Sequence, residues 1–304
     1  MTDLLIEKIQ KTQNPVCVGL DTSFEYLPEE MRKNCRTFSD AAKAIAEFNH
    51  AIIDAVKGLV PAVKVQAAYY EMYGAAGMEA FEATLTAAKE AGLIVIADAK
   101  RNDIGSTAAC YSAAFLGETD INGQKFRAFP SDYLTVNGYL GIDGIEPFLA
   151  DCKKHGKGIF VLVKTSNPSS GQLQNRRFEN GEALFEAVGA LVKGWGSGSV
   201  GKYGYSDVGA VVGATHPQEA AVLRKLMPRT LFLIPGYGAQ GGKADDLAVY
   251  FDPQGNGGIV NNSRGILCAY KFEKYKGLDF AQAARAAVID MREDIAGALA
   301  RRKI

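Results

Sequence analysis

The segment Asp98-Ala-Lys-Arg-Asn-Asp103 contains two carboxylates and a lysine at close spacing. Residues two apart on a strand point to the same side, so Asp98 and Lys100 are expected to share a face, with Asp103 in the loop that follows. Lys64 interrupts a second apolar run and Asp21 ends a third, so these charges are expected to converge on the first group. A lysine held between carboxylates stays protonated and can act as a fixed cation and a proton donor. The pattern predicts either an acid–base site or an ion-pair network that only closes the fold.

Two further segments are typical of phosphate binding. Residues 236–242 read Gly-Tyr-Gly-Ala-Gln-Gly-Gly, and residues 262–265 read Asn-Ser-Arg-Gly. Glycines let backbone N–H groups approach a phosphate, and Arg264 can grip it with a forked guanidinium. The first segment also contains the Gly-x-Gly-x-x-Gly dinucleotide fingerprint. That interpretation fails because the glycines follow the seventh apolar run instead of the first, and no acidic residue ends the next run.

The elements that must position these residues are indicated by eight short apolar runs. They are rich in β-branched residues, which is typical of strands buried on both faces of a parallel sheet. Their starts lie about 35 residues apart, which suits a strand, a helix and two loops. The repeat predicts a single (β/α)8 TIM barrel over residues 1–304, with an open doubly wound sheet as the alternative. The runs occupy residues 16–20, 62–65, 93–97, 133–136, 159–163, 208–212, 231–234 and 258–260.

Helical spacing of apolar residues fills the gaps between the runs. In a parallel barrel the loops after the strands open on one face, so the polar residues that end the runs are expected to meet there. The longest predicted loops, 166–181 and 194–204, are candidate binding segments. The predicted helices include residues 41–56 and 182–192, an N-terminal helix at 2–11 and a C-terminal helix at about 278–302 packed on the barrel.

The composition is that of an ordinary globular protein. Lys plus Arg and Asp plus Glu each total 34, so the formal net charge is zero, and 47% of the residues are hydrophobic. The nearest approach to a basic run is Arg301-Arg302-Lys303, so nucleic acid is not an expected partner. No apolar stretch approaches about 18 residues, and the start lacks the apolar core of a signal peptide. We therefore expect no membrane association and a cytoplasmic location.

The cysteines and histidines show no pattern typical of a metal site. The five cysteines form no CxxC pair and are odd in number, which favours reduced thiols. The three histidines lack zinc-binding spacing, so a structural or catalytic zinc site is not expected. His216 follows the sixth apolar run and is left without a role.

Residues 98–104, Asp-Ala-Lys-Arg-Asn-Asp-Ile, resemble the DxKxxD signature of the orotidine 5′-phosphate decarboxylases. The resemblance covers nearly the whole chain and best fits the longer bacterial subgroup of that family. Gly105 replaces the proline that many members carry after the signature, and this difference touches no charged residue. The other matching segments are Val18-Gly-Leu-Asp21, Val63-Lys-Val-Gln66, Lys164-Thr-Ser-Asn-Pro168, Val212-Gly-Ala-Thr215, residues 235–242 and Asn262-Ser-Arg-Gly265.

The resemblance implies that the chain converts orotidine 5′-monophosphate (OMP) to uridine 5′-monophosphate (UMP) and CO₂ without a cofactor. This reaction is the last step of de novo pyrimidine nucleotide synthesis. The implied catalytic residues are Lys64, Asp98, Lys100 and Asp103, and the implied substrate-binding residues are Asp21, Thr107, Ser166, Pro235, Gln240, Gly241, Ser263 and Arg264.

The resemblance also implies separate roles for these groups. Asp21 and Lys64 would bind ribose hydroxyls, and Ser166 would contact the pyrimidine. Gln240 would bridge the base and the phosphate, which Arg264 would grip. A nucleotide substrate is therefore the expected small-molecule partner.

In the family that the chain resembles, the second aspartate of the signature reaches into the neighbouring subunit. Asp103, with Ile104 and Thr107 nearby, would therefore act across the interface of a homodimer.

Two other functions are kept as alternatives. A hexulose-phosphate synthase-like lyase or aldolase would want a further acidic metal ligand at the barrel mouth. A non-catalytic nucleotide-binding barrel would be expected to have lost a charged signature residue, and none is missing.

Overall fold

The computed structural model describes residues 1–238 and 241–302. Eight parallel strands form a closed barrel in which neighbours follow chain order and the last strand pairs with the first. This confirms the (β/α)8 prediction over the open doubly wound alternative. The barrel strands are β1 (Val16–Leu20), β2 (Ala62–Gln66), β3 (Ile94–Arg101), β6 (Tyr133–Val136), β7 (Gly158–Lys164), β8 (Ser206–Val212), β9 (Thr230–Ile234) and β10 (Gly258–Asn262), and a separate hairpin contains β4 (Thr119–Ile121) and β5 (Gln124–Phe126).

Helices connect the strands and cover the outside of the barrel. They are α1 (Thr2–Thr12), α2 (Glu29–Arg32), α3 (Phe38–Val56), α4 (Ala68–Glu71), α5 (Gly74–Glu90), α6 (Gly105–Phe115), α7 (Glu146–His155), α8 (Gly171–Gln174), α9 (Leu184–Trp195), α10 (Pro217–Leu226), α11 (Ala244–Leu247), α12 (Arg264–Leu267) and α13 (Phe280–Arg302). Short 3₁₀ turns lie at Phe24–Tyr26, Ile142–Gly144, Pro168–Ser170, Ser197–Ser199, Ala248–Tyr250, Ala269–Lys271 and Glu273–Tyr275.

The alternation of side chains along the strands divides the core into two layers. Inward-facing residues such as Ile96, Phe160 and Leu233 fill the barrel interior. Leu5 and Ile6 of α1 belong to the same cluster, so this helix covers one end of the barrel. The outward-facing strand residues pack against the helices in a second, larger cluster. The opposite end of the barrel, where the strands finish, is left for polar residues.

Several predicted boundaries were wrong by a few residues because side-chain caps, not apolar spacing, set them. The helix predicted at 41–56 begins at Phe38, since Thr37 and Asp40 form a reciprocal capping box. The helix predicted from 278 begins at Phe280, where an Asp279 carboxylate oxygen accepts the Gln282 N–H.

The region around the predicted loops is more ordered than the sequence indicates. The helix predicted at 182–192 extends over Leu184–Trp195 and includes the first two residues of the loop predicted at 194–204. The loop predicted at 166–181 contains a 3₁₀ turn and α8. That loop is therefore shaped by local hydrogen bonds, which apolar periodicity does not report.

The hairpin of β4 and β5 was not predicted. Asn122 and Gly123 connect its strands with φ values of 53° and 84°, the left-handed pair that a tight hairpin turn requires. All six strand residues are exposed, so the segment lacks the buried alternation that identifies the barrel strands. The Asn-Gly dipeptide was the available signal.

The interior of the barrel tolerates no side chain at Gly209 of β8. A Cβ there would lie 2.5 Å from the Phe160 ring and 2.9 Å from the Leu231 carbonyl oxygen. We expect Gly209→Ala to lower the free energy of unfolding by about 1–3 kcal/mol, measured by urea denaturation. The matched control is Gly194→Ala, at an exposed helical position with open space, which should stabilise by about 0.5–1 kcal/mol. Equal effects of the two substitutions would contradict the packing account.

Candidate active site

A cavity of about 550 Å³ opens at the carboxyl ends of the barrel strands. Its wall is polar where the strands end, and Leu162, Val211 and Leu233 add apolar side chains to its floor. This is the position at which a parallel barrel brings its loops together. The polar and aromatic lining residues are Asp21, Tyr26, Lys64, Gln66, Tyr69, Asp98, Lys100, Thr135, Thr165, Ser166, Asn167, Tyr237, Asn261, Asn262, Ser263 and Arg264.

Four charged groups form an unbroken chain across the cavity floor. The Lys64 ammonium donates to Asp21 at 2.8 Å and to Asp98 at 2.7 Å. The Lys100 ammonium donates to the other Asp98 oxygen at 2.6 Å. The order is therefore carboxylate, ammonium, carboxylate, ammonium, as the sequence predicted for these four residues.

The Asp98 carboxylate accepts hydrogen bonds at both oxygens. Oδ1 accepts from Lys100 and from the Thr135 hydroxyl at 2.8 Å, and Oδ2 accepts from Lys64 and from the Gln66 amide at 2.9 Å. Burial of this side chain by itself would raise its pKa, but the two ammonium groups outweigh burial and lower the pKa below its usual range. Asp98 is therefore held ionised.

Lys64 is buried in the same network. Burial alone would lower the pKa of its ammonium, but the carboxylates of Asp21 and Asp98 together raise that pKa. Lys64 is therefore a fixed positive charge. Its place between two carboxylates links the end of β1 to the end of β3.

The backbone at Lys100 is strained. Its φ is 48°, in the left-handed region that non-glycine residues seldom occupy, and the β3–β6 register shifts between Ala97 and Arg101. Such a conformation costs about 1–3 kcal/mol and persists where the surroundings hold it. The Lys100 N–H donates to the Thr135 hydroxyl at 3.0 Å, and the same hydroxyl donates to Asp98. Thr135 thus fixes both members of the pair.

The strained backbone keeps the Lys100 side chain accessible. Its exposed fraction is 44%, against 9% for the Asp98 side chain to which it is bonded. The ammonium consequently faces the cavity while Asp98 stays behind it. Neither Thr135 nor Gln66 was predicted as a site residue, although Thr135 lies within a run identified as a strand and Gln66 directly follows one.

Asp21 is held from the opposite side by the loop after β10. The Ser263 hydroxyl donates to Asp21 at 2.8 Å. A Cβ on Gly19 would clash with that hydroxyl, so glycine is required where β1 passes β10. Among the described residues, the buried Asn261 Oδ1 beside Ser263 has no hydrogen-bond partner.

The loop after β9 contains three glycines with positive φ. Gly236, Gly238 and Gly241 have φ values of 98°, 69° and 97°, which only glycine adopts easily. Pro235 and Arg264 line the cavity as predicted, whereas Gly241 is not among its lining residues. The predicted residue Gln240 lies outside the described residues.

Asp103 and Thr107 lie outside the cavity of their own chain. The predicted charged network is therefore formed in this chain by Lys64, Asp98 and Lys100 with Asp21, without Asp103. The Asp103 carboxylate accepts the Ile104 N–H at 2.7 Å. Ile104 is followed by α6, and its side chain is 53% exposed.

In residues 1–238 and 241–302, no group of three or more His, Cys, Asp or Glu side chains is arranged to hold a metal ion. Over the same part of the chain, no helix combines the length and apolar character that crossing a membrane requires. His216 Nε2 lies 3.3 Å from the Ser170 hydroxyl, outside the cavity lining.

Comparison with known proteins gives one consistent result. Residues 14–274 match the family described as orotidine 5′-phosphate decarboxylase / HUMPS. The orotidine 5′-phosphate decarboxylase of Caldicellulosiruptor bescii is 45% identical over 306 residues, covering 98% of each chain. That of Clostridium perfringens strain 13 is 44% identical, covering 98% of this chain and 99% of its own. The solved OMP decarboxylase of Leishmania donovani is 30% identical with a TM-score of 0.74, covering 98% of each chain.

The two hydrogen bonds of Thr135 make a specific test of this geometry. We expect Thr135→Val to lower the free energy of unfolding by about 1–3 kcal/mol, because Asp98 loses a donor and the Lys100 N–H loses its acceptor. Urea denaturation measures the change. The same substitution at the exposed Thr119 should change it by less than about 0.5 kcal/mol. A Thr135→Val protein as stable as Thr119→Val would contradict the bridging role.

Proposed function

The chain belongs to the orotidine 5′-phosphate decarboxylase / HUMPS family and converts OMP to UMP and CO₂, and from this premise we propose which residues perform the reaction. The observation that carries the proposal is the unbroken chain Asp21, Lys64, Asp98 and Lys100 on the cavity floor. This chain of charges places the exposed Lys100 ammonium in the cavity, where the hydrogen bond to the buried Asp98 carboxylate fixes its position.

Substrate binding divides among three parts of the wall. Asp21 and Lys64 bind the ribose hydroxyls, since both lie at the cavity floor and are already hydrogen-bonded to each other. Arg264 and the loop after β9 hold the phosphate, where backbone N–H groups and a guanidinium suit a dianion. Ser166, on the adjoining wall, contacts the pyrimidine.

Four further residues complete the proposed binding site. Pro235 and Ser263 line the cavity beside the phosphate and ribose positions. Gly241 contributes backbone to the phosphate loop, where its N–H bonds to the Gly238 carbonyl at 2.8 Å. Gln240 keeps its predicted role between base and phosphate. The cavity volume falls in the range of about 300–1,000 Å³ that is usual for small-molecule sites.

Lys100 supplies the chemistry. As the bond between C6 and the carboxylate carbon breaks, its electron pair stays on C6 in an in-plane orbital that the ring delocalises poorly. CO₂ leaves as this bond breaks, and the Lys100 ammonium stabilises the developing charge. The ammonium then transfers a proton to C6, which gives UMP. The resulting amine regains a proton from solvent. Each step uses side chains of the protein, without a metal or an organic cofactor.

Asp98 holds the Lys100 ammonium in place through their hydrogen bond. Its own charge would also oppose the substrate carboxylate before the reaction, but we assign the larger effect to the preorganised ammonium. The phosphate is remote from C6, and its binding energy can order the site around the reacting ring.

A homodimer completes the site with Asp103 and Thr107 of the neighbouring subunit. The support is their position outside the cavity of their own chain, next to exposed apolar side chains. Tyr139 is 78% exposed, and Leu140 and Ile142 of the same segment are also exposed. That segment packs on Asp103, since a Cβ on Gly144 would lie 3.1 Å from the Asp103 carbonyl oxygen.

We place the enzyme in the cytoplasm and treat residues 1–304 as one barrel domain.

The reaction and the role of Lys100 are tested together. Loss of OMP is followed by absorbance with EDTA present, and the wild-type protein should retain full activity. Lys100→Ala should lower kcat by at least about a thousandfold, because it removes both the proton donor and the fixed cation. UMP binding should be largely kept. Urea denaturation checks that the variant is folded, because Asp98 loses a partner.

Two outcomes would contradict this assignment. A folded Lys100→Ala enzyme that retains more than about a tenth of wild-type kcat would show that Lys100 is structural. Loss of wild-type activity in EDTA would show that a metal takes part.

The shared site is tested by subunit exchange. Asp103→Asn and Lys100→Ala proteins, each inactive alone, should regain activity on mixing, because a mixed dimer contains one site with both residues intact. Recovery approaches about a quarter of the wild-type activity if subunits exchange at random and each intact site works independently. Exchange is measured with differently labelled subunits. Complete exchange without recovered activity would contradict a site built from two subunits.

A further inference from the structure

Strand β7 ends in a lysine that the reaction does not use. The Lys164 side chain is fully buried, although Thr165, Ser166 and Asn167 directly after it line the cavity. The register between β7 and β8 shifts between Leu162 and Lys164. Leu162 lines the cavity floor, whereas Lys164 pairs with the outward-facing Val212. The bulge therefore directs the Lys164 ammonium behind the cavity wall.

The ammonium contacts the segment that follows β7, and also α9 and α10, behind that wall. It donates to Asn175 Oδ1 at 2.7 Å and to the Ser170 hydroxyl at 3.4 Å. A Glu219 carboxylate oxygen of α10 lies 4.0 Å away, and the Phe185 ring of α9 lies 5.8 Å away. Lys164 thus links the end of β7 to the segment that follows it and to the helices α9 and α10.

The segment is tied to the strand a second time, one residue further on. The Thr165 N–H donates to Gln174 Oε1 at 3.0 Å, and Gln174 Nε2 donates to the Thr165 hydroxyl at 2.7 Å. Gln174 and Asn175 are adjacent, so α8 ends in two amides that both hold the end of β7. The residues between, including Ser166, form a loop closed at its base by these bonds.

Ser166 is confined from its other side as well. Its carbonyl oxygen accepts from the Thr215 hydroxyl at 3.1 Å. A Cβ on Gly213 would lie 2.7 Å from Ser166 N and Cα, so β8 passes against its backbone. On the side of α8, the same wall is held by the bonds of Lys164 and Thr165.

A buried ammonium is a costly choice for a purely structural contact. Burial lowers the pKa of Lys164, and the nearby Glu219 carboxylate offsets this in part. An apolar residue of similar length would avoid the cost but would not bond the amide of Asn175. The buried charge is therefore best explained by a need to hold the loop in one position through the bond to Asn175.

We propose that Lys164 is a positioning residue that holds the pyrimidine-contacting wall, Thr165 to Asn167, through its hydrogen bond to Asn175. The proposal rests on the proposed function, in which Ser166 contacts the base. Lys164 itself does not touch the substrate. It sets selectivity for the base, while the phosphate is bound from the loops after β9 and β10.

The test separates binding of the base from binding of the sugar phosphate. UMP and ribose 5-phosphate, which lacks the base, are titrated calorimetrically into wild type and Lys164→Met. UMP affinity should fall roughly tenfold, the loss of one charge-assisted hydrogen bond, while ribose 5-phosphate affinity stays within about twofold. The KM for OMP should rise with kcat little changed, as for contacts equally strong in ground and transition states.

A matched control is Lys157→Met. This lysine precedes β7 at the other end of the barrel, where it bonds Asp132 at 3.1 Å and the Ser131 carbonyl at 2.7 Å. Its loss should lower stability without changing the ratio of UMP to ribose 5-phosphate affinity. A Lys164→Met protein with an unchanged ratio, or with both ligands weakened equally, would overturn the proposal.

Substitutions at the exposed Asn175 test the same bond while Lys164 itself is kept. Asn175→Leu removes the acceptor and should reproduce the selective loss of UMP affinity, whereas Asn175→Asp keeps an acceptor and should not. If Lys164→Met does not fold, the two Asn175 variants provide the test, and equal UMP affinities of the two would overturn the proposal.

Wild-type turnover of OMP is measured first. Its absence would refute the proposed function, whereas turnover with unchanged affinity ratios would refute the role of Lys164 alone.

Discussion

The active site depends on a carboxylate that is buried between two ammonium groups. Asp98 has almost no contact with solvent, and its charge is supported by Lys64, Lys100, Thr135 and Gln66. Removing one partner of a buried pair leaves a charge that the interior cannot solvate. The alternation of signs from Asp21 to Lys100 avoids this outcome, since each inner charge has an opposite charge on either side.

The barrel serves this arrangement by fixing which strand ends are adjacent. The β2–β3 register sets Gln66 opposite Asp98, and β6 on the other side supplies Thr135. The same hydroxyl that supports Asp98 also holds the strained backbone of Lys100. The reactive ammonium is thus placed by its neighbours before substrate binds, which is the condition under which electrostatic stabilisation costs no reorganisation.

The sequence was sufficient to predict the barrel, because its strands are buried on both faces and their apolar runs are continuous. It also predicted that Asp98 and Lys100 can pair, since residues two apart on a strand share a face. The strained backbone at Lys100 was not predicted. Thr135 could not be found this way, because a threonine inside a strand run is an ordinary β-former. Asp103 lies outside the cavity because of the path of a loop, and Lys164 points outward because of a register shift. The periodicity of apolar residues predicts neither feature.

The charge state of Asp98 is the point on which this account can be tested most directly. Its pKa is lowered in the folded protein, so its ionisation stabilises the fold above the unfolded-state pKa of about 3.9, and this contribution is lost as the pH falls. The measurement is the difference in unfolding free energy between wild type and Asp98→Asn, from urea denaturation between pH 7 and pH 3. The account predicts a difference that is constant near neutral pH and shrinks below about pH 5. A difference that stays constant to the lowest pH would show that the carboxylate is not held by its charge, and would contradict the account.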